Sequence, residues 1–171
     1  MIRERSADDL DECVSVLARV HANDGYPTHW PEDPAAWLTP ANMVRAWVAV
    51  VDGRIVGHAM VRAHGGKASF NRLFVSPGGR RLGAGKALLE KAKQWAKERG
   101  AGLVLEVNSD QRDAIALYER NGWRRTGSGP ADWDASIMLH HYEFLVEVDP
   151  DAPPPPREGE QHGAPVGQQG L

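Results

Sequence analysis

Leu73-Phe74-Val75-Ser76-Pro77-Gly78-Gly79-Arg80-Arg81-Leu82-Gly83-Ala84-Gly85-Lys86 is the stretch on which the reading of this chain turns. Leu73, Phe74 and Val75 form the end of an apolar strand, and Ser76 to Gly79 form a turn. Beyond them Ala84, Leu88, Ala92 and Trp95 recur every three or four positions, the period of a helix with one buried face. Strand, glycine-rich turn and helix, in that order, suit an anion site. The first turn of a helix leaves backbone N–H groups without partners and carries partial positive charge, and Gly83 and Gly85 let a ligand approach the backbone closely. Arg80, Arg81 and Lys86 add positive charge.

Register separates the phosphate loops that such a stretch can form. A Walker A loop needs a glycine five places before its Gly-Lys pair, where this chain has Arg80, and a Ser or Thr where it has Ala87. A dinucleotide fingerprint begun at Gly83 needs a third small residue for tight helix–strand packing and meets Leu88. What is left is Arg80-x-x-Gly83-x-Gly85 behind a strand. About thirty residues on, Leu103-Val104-Leu105-Glu106-Val107 is followed by Ala114-Ile115-Ala116-Leu117-Tyr118-Glu119-Arg120-Asn121-Gly122-Trp123. The two segments in this order resemble the coenzyme A loop and the second hallmark of the GNAT (GCN5-related) N-acetyltransferase superfamily, a likeness that covers roughly residues 68–127.

The composition limits the alternatives. A chain of 171 residues has room for one domain with a proper core. Its formal net charge of -3 provides no overall basic surface for nucleic acid or an anionic membrane. Cys13 is the single cysteine, which excludes an internal disulfide and a multi-cysteine metal site and suits a reducing cytoplasm. It falls on an amphipathic pattern and is read as an apolar filler, not a nucleophile. No metal is expected. Met1 to Arg5 opens into charged residues and no long uncharged apolar run follows, so neither a leader nor a membrane span is expected, and the expected location is cytoplasmic.

Taken in order, Ile2 to Arg5 is a short strand, and Ser6 with Asp9 three places on signals a helix start, the helix running to Ala22. His21 to Pro40 is irregular and rich in turn formers and rings. Trp47 to Val51, Asp52-Gly53 and Arg54 to Val61 make a hairpin on a two-residue type I′ turn, with His58 read as packed or exposed. Gly65-Gly66 leads into the strand Ala68 to Val75, and the helix begun at Gly83 stops near Arg99-Gly100. Leu103 to Val107 is a strand parallel to the one ending at Val75, because a helix provides the crossover. A helix capped at Ser109 or Asp110 follows, ended by Gly122. Trp123 to Thr126 is a strand, Gly127 to Asp134 a loop, and Ile137 to Val148 holds the last strand. Residues 1–148 form the domain. Residues 149–171, with four consecutive prolines and almost nothing apolar, are expected to be a disordered Pro/Gly-rich tail.

The resemblance implies more than the pattern does. It implies an α/β GNAT fold: a mixed central sheet of about six to seven strands, flanking helices, and a splay between two central parallel strands. It implies acetyl-CoA as co-substrate, its pyrophosphate against the backbone of Arg81, Leu82, Gly83, Ala84, Gly85 and Lys86, with Arg80 and Lys86 screening its charge. Pantetheine would run along Phe74 and Val75, and an N–H near Val75 would polarise the thioester carbonyl. Tyr118 stands where relatives often carry the acid that protonates the departing thiolate; a helix tyrosine that merely packs its ring is the alternative. Many relatives carry a glutamate on the strand matching Ala68 to Val75, where this chain has no acidic residue. Glu106, a loop histidine such as His29, or ordered water is then left as base. The family's asparagine seven residues before the tyrosine is here Gln111, with Asn108 nearby. The loop after the first helix shapes the acceptor pocket in such proteins, which makes Tyr26, His29 and Trp30 candidate contacts for a small-molecule or peptide amine. Asp24, Glu32 and Asp33 in that segment hint at a cationic acceptor; solvated loop charge explains them equally. The missing glutamate also admits an acyl-CoA-binding sensor or regulatory module. Oligomeric state stays open, a homodimer included.

Overall fold

Asp52 and Gly53 both take positive φ, 51° and 75°, the two left-handed residues a type I′ hairpin turn requires. On either side of them the computed structural model, which describes residues 1–146 together with Asp151 and Pro153, has β2 (Met43–Val51) and β3 (Arg54–His64) antiparallel. Gly65 and Gly66, also at positive φ, return the chain into β4 (Lys67–Val75) against β3. β1 (Ile2–Glu4) pairs with β2. β5 (Leu103–Asn108) lies parallel to β4, and β6 (Arg124–Ala131) and β7 (Asp134–Phe144) complete a seven-stranded sheet in the order β1-β2-β3-β4-β5-β7-β6.

Alternation along the central strands sends side chains to two cores. Trp47, Ala49, Ala59, Val61 and Val75 pack with α4 (Ala84–Glu98) and with Tyr118 of α5 (Arg112–Arg120). Val48, Ile55 and Phe74 pack on the other face against Cys13, Val16, Leu17 and Val20 of α1 (Leu10–Asp24), with Leu38 just past α2 (Pro34–Trp37). Helix α4 holds fast because Leu88, Leu89, Ala92 and Ala96 are wholly removed from solvent. Each such leucine is worth about 1.5–3 kcal/mol of burial. Cys13 is a fully buried filler whose thiol is pushed up to about 12, chiefly by burial.

The Ser6–Asp9 start signal is realised: the Asp9 carboxylate accepts from the Ser6 N–H at 2.7 Å and receives Arg3 in a two-pronged pair. Helix α1 nevertheless runs past Ala22 to Asp24, because the left-handed stop is Gly25 at φ 70°. Two short helices lie in segments expected to be loop. In α2, Asp33 accepts from the Ala36 N–H at 3.1 Å and Pro34 occupies the first turn, a start signal present in the sequence. The other, α3 (Pro77–Arg80), likewise begins on proline. Gly127 to Ala131, expected as loop, continues β6. As the edge strand it tolerates Pro130, and two register shifts, after Arg125 and after Pro130, absorb the irregularity. The last strand, expected within Ile137 to Val148, begins earlier, at Asp134, and runs to Phe144. The proline-rich segment from residue 149 lies outside the described residues apart from Asp151 and Pro153.

Gly79 shows how tightly the turn after β4 is closed. A Cβ there would come within 2.9 Å of Val56 Cβ and 3.0 Å of Val75 Cγ1. Gly79→Ala is therefore expected to lower unfolding free energy by about 1–3 kcal/mol. Chemical denaturation measures this directly, and a variant as stable as the parent would show that β3 and the turn yield without cost.

Candidate active site

β4 and β5 are hydrogen-bonded neighbours for only two residue pairs, Ala68 with Leu103 and Ser69 with Val104. Beyond them β5 stays on β7 as far as the Asn108–Leu139 pair, while β4 stays on β3. The two parallel strands therefore part, and a cavity of about 820 Å³ opens between Phe70–Leu73 on one side and Leu105–Asn108 on the other.

A bulge in β4 aims this opening. His58 of β3 pairs with Phe74 and Met60 pairs with Asn71, which leaves one residue too many on β4. Arg72 takes up the excess at φ 54°, a left-handed conformation that costs a non-glycine residue about 1–2 kcal/mol. His58, fully buried and stacked on Phe74 at 5.0 Å, holds it there. The Arg5 guanidinium, which can only donate, stands 3.0 Å from His58 Nε2, so Nδ1 carries the ring hydrogen and donates it to the Arg72 carbonyl at 3.0 Å. Burial is the main cause that lowers the His58 pKa to about 3, with Arg5 second, so the ring is neutral at pH 7.

Tyr118 enters the cavity from α5. It is 6% exposed, meets Phe70 edge-on at 6.3 Å, and lies 5.7 Å from Trp123, centroid to centroid. Among the described residues its hydroxyl makes no hydrogen bond, unlike that of Tyr142, which donates to Glu119 at 2.7 Å. Burial raises the Tyr118 pKa above the ordinary phenol value of about 10, with the nearby Tyr26 adding to the shift. Glu106 lines the same cavity from β5 and pairs with His141 at 3.4 Å.

The remaining sequence candidates divide. Tyr26, His29 and Gln111 line the cavity. Trp30 does not; it packs on His21 at 5.3 Å. Phe74 turns its ring into the α1 core, and Val75 faces α4, so neither side chain reaches the opening, which Leu73 lines instead. Arg80 to Lys86 lie at the end of β4. Gly83, at φ 73°, caps α4, and the first-turn N–H groups of Ala84, Gly85 and Lys86 have no acceptor within the helix. A Cβ on Gly85 would sit 3.4 Å from Leu117 Cδ2, which puts this turn beside the tyrosine's helix. Arg80 donates to the Val75 carbonyl at 3.2 Å and forms an ion pair with Asp24. Sequence reasoning did not single out Arg62, Arg72, Trp37, His64, Trp133 or His141, all on the cavity wall. Arg72 was hidden because the bulge breaks strand alternation. Among the described residues no group of three or more His, Cys, Asp or Glu is placed to hold a metal ion, and no helix is long and apolar enough to cross a membrane.

The splayed parallel pair and the glycine-rich helix start at its end are the features that the resemblance to the GNAT superfamily implies. The model of the acetyltransferase (GNAT) family matches residues 10–123, and the chain belongs to that family. It is 36% identical over 126 residues to a mycothiol acetyltransferase of Clavibacter sepedonicus, covering 70% of this chain and 41% of that protein. It is 39% identical over 108 residues to a streptothricin acetyltransferase of Streptomyces lavendulae, covering 61% and 57%. The chain thus spans about two fifths to three fifths of the length of these curated relatives. Among solved structures, the ribosomal-protein-S18-alanine N-acetyltransferase of Escherichia coli superposes with a TM-score of 0.71 at 23% identity, covering 90% of this chain and 98% of that one. An acetyltransferase of Bacillus anthracis solved with acetyl coenzyme A gives a TM-score of 0.56 at 24% identity, covering 62% and 64%.

The His58 arrangement predicts an acid-side instability. Its folded pKa of about 3 lies below the unfolded value of about 6.5, so between the two the unfolded chain binds the proton and stability falls as pH falls. Asp9, held low by Arg3, adds its own loss only below about pH 4, near the unfolded aspartate value. Urea midpoints should therefore drop from pH 7 to pH 4.5 in the parent, and drop less in His58→Asn. Equal slopes would remove His58 from the account.

Proposed function

We propose that the protein is an N-acetyltransferase that moves an acetyl group from acetyl-CoA to a primary amine by direct transfer in a ternary complex. The observation that carries this is the shared seam: the cavity where β4 and β5 part holds the Tyr118 hydroxyl, free of hydrogen bonds among the described residues, while the first turn of α4 opens beside Leu117 of the same helix.

In this reading the coenzyme pyrophosphate rests on the N–H groups of Arg81 to Lys86, with Lys86 opposite its charge and Arg80 exchanging its Asp24 partner for the phosphate. The amine nitrogen attacks the thioester carbonyl carbon; a C–N bond forms and the carbonyl electrons move to oxygen. Backbone N–H groups freed on β4 stabilise that oxyanion. The C–S bond then breaks, and the thiolate takes the Tyr118 proton. Burial keeps the phenol protonated at neutral pH and also makes it a weaker acid, so it yields its proton only to the thiolate as that forms, and water returns a proton to the phenolate afterwards. The amine's surplus proton leaves to Glu106, to His29 or to water. A second reading rests on β4 itself, which places Asn71 and no carboxylate in the cavity: a module that binds acyl-CoA without acceptor chemistry.

Thiol release from acetyl-CoA over a broad panel of amines separates the two, since a module would bind coenzyme and release nothing above hydrolysis. In the enzyme, Tyr118→Phe should lower turnover about a hundredfold while leaving coenzyme binding intact; unchanged turnover at every pH would take the acid role from Tyr118. Gly85→Ala fits the free protein, because the added carbon meets Leu117 at ordinary contact distance. A loss of about tenfold in coenzyme affinity with an unaltered melting temperature would report a ligand lying on that backbone.

A further inference from the structure

Charge is distributed unevenly around the cavity. Its β3–β4 wall carries Arg62 and Arg72, and its β5 wall carries Glu106, which among the described residues is the one carboxylate on the lining. Arg72 is half-buried. Its guanidinium lies 3.8 Å over the Trp37 ring, and its one hydrogen bond among the described residues is a long contact, 3.5 Å, from Nε to the Trp37 carbonyl. Arg62, half-buried as well, gives only its Nε, to Asn42 Oδ1 at 2.7 Å. Neither meets a carboxylate among the described residues.

A guanidinium has five N–H donors, and one taken from water stays charged only where an anion or several acceptors compensate it. Stacking on Trp37 supports the flat face of Arg72 and leaves the NH1 and NH2 edge unpaired, the edge that takes a carboxylate in two parallel bonds. Burial opposes the Arg72 charge most, Tyr26 favours it, and the neighbouring Arg62 opposes it more weakly. The acidic loop residues do not offset it: Asp24 pairs with Arg80, Asp33 caps α2, and Glu32 is exposed. Those loop carboxylates therefore lend the cavity no charge of their own.

We propose that the acceptor is an amine that also carries a carboxylate, bound with that carboxylate on the Arg72–Arg62 wall and its amine toward the Glu106 side. This rests on the transferase reading above and names the acceptor class for the same site. The occupant is a zwitterion in free solution, with opposite ends matched to opposite walls.

Two measurements test it, one of them independent of turnover. In calorimetry on the coenzyme A complex, N-acetylated amino acids should bind at least about tenfold more tightly than their carboxamides, the range of a lost charge-assisted pair. Arg72→Met should erase that preference in a variant that still binds coenzyme A, whatever it loses in melting temperature with the Trp37 stacking. Should Arg72→Met fail to fold, Arg62→Gln should reduce the same preference. In thiol release, amino acids are compared with their amides and with the decarboxylated amines, and dipeptides tell a free amino acid from a peptide carboxylate. Carboxylate-selective binding without acetyl transfer would uphold the acceptor wall and sink the transferase reading. Transfer to neutral amines as readily as to their acids would uphold the reading and overturn this proposal. Equal binding of acid and amide, or of neither, would overturn it too.

Discussion

Everything at the cavity depends on one backbone distortion, the left-handed Arg72 in the middle of β4. A regular strand would hand its hydrogen bonds to both neighbours and close against β5. With an extra residue between Asn71 and Phe74, β4 stays in register with β3 at both ends but cannot stay in register with β5, and the sheet opens. Such a conformation persists only where the surroundings fix it. The chain supplies three restraints: the His58 hydrogen bond to the Arg72 carbonyl, the Arg5 bond that sets the His58 tautomer, and the Trp37 ring beneath the Arg72 side chain. Arg5 also donates to the Leu38 carbonyl at 2.6 Å and to Thr39 Oγ1 at 2.9 Å, so the chain's first segment, the end of α2 and the bulge form one network. A buried histidine of no obvious use becomes intelligible as the group that keeps the seam open.

The fold was legible to the extent that it is local. The type I′ turn, the double-glycine return, the apolar face of α4 and the crossover to a parallel β5 each follow from residues within a few positions of one another, and each is present. Where expectation and structure part, the cause is context. β6 runs through Gly127 and Pro130 because an edge strand with two register shifts accepts what a central strand would reject. Helix α2 carried a readable start at Asp33-Pro34, but a helix of four residues has too little periodicity to stand out from a turn-rich segment.

The candidate site divides along the same line. The glycine loop is short-range: its glycines, its helix start and its position after a strand are all contiguous in sequence, and what it would offer a ligand is backbone. The acceptor wall is long-range. Arg62, Arg72, Trp37 and His141 come from β3, β4, α2 and β7, and nothing in their spacing brings them together. Even knowing that Arg72 lies on a strand would mislead, since alternation puts it on the face opposite Leu73, whereas the bulge brings Asn71, Arg72 and Leu73 to the lining consecutively.

Charge illustrates why counting along the chain is a poor guide to polarity inside a cavity. The segment from Asp24 to Asp33 is acidic on paper, yet Asp24 pairs with Arg80 and Asp33 accepts a helix N–H, so both carboxylates are compensated away from the lining. Asp134, held down to about 2 chiefly by its bond from Ser136, pairs with His29 in the same way. Arg62 and Arg72, by contrast, hold their position through stacking and single hydrogen bonds, and among the described residues no carboxylate compensates them where the sheet opens. An ion pair removes a charge from the field a ligand meets, whereas a stacked guanidinium keeps its charge and gains a fixed direction. The polarity of the opening therefore follows from which charges lack partners, a property of the folded arrangement that a net charge of -3 does not contain.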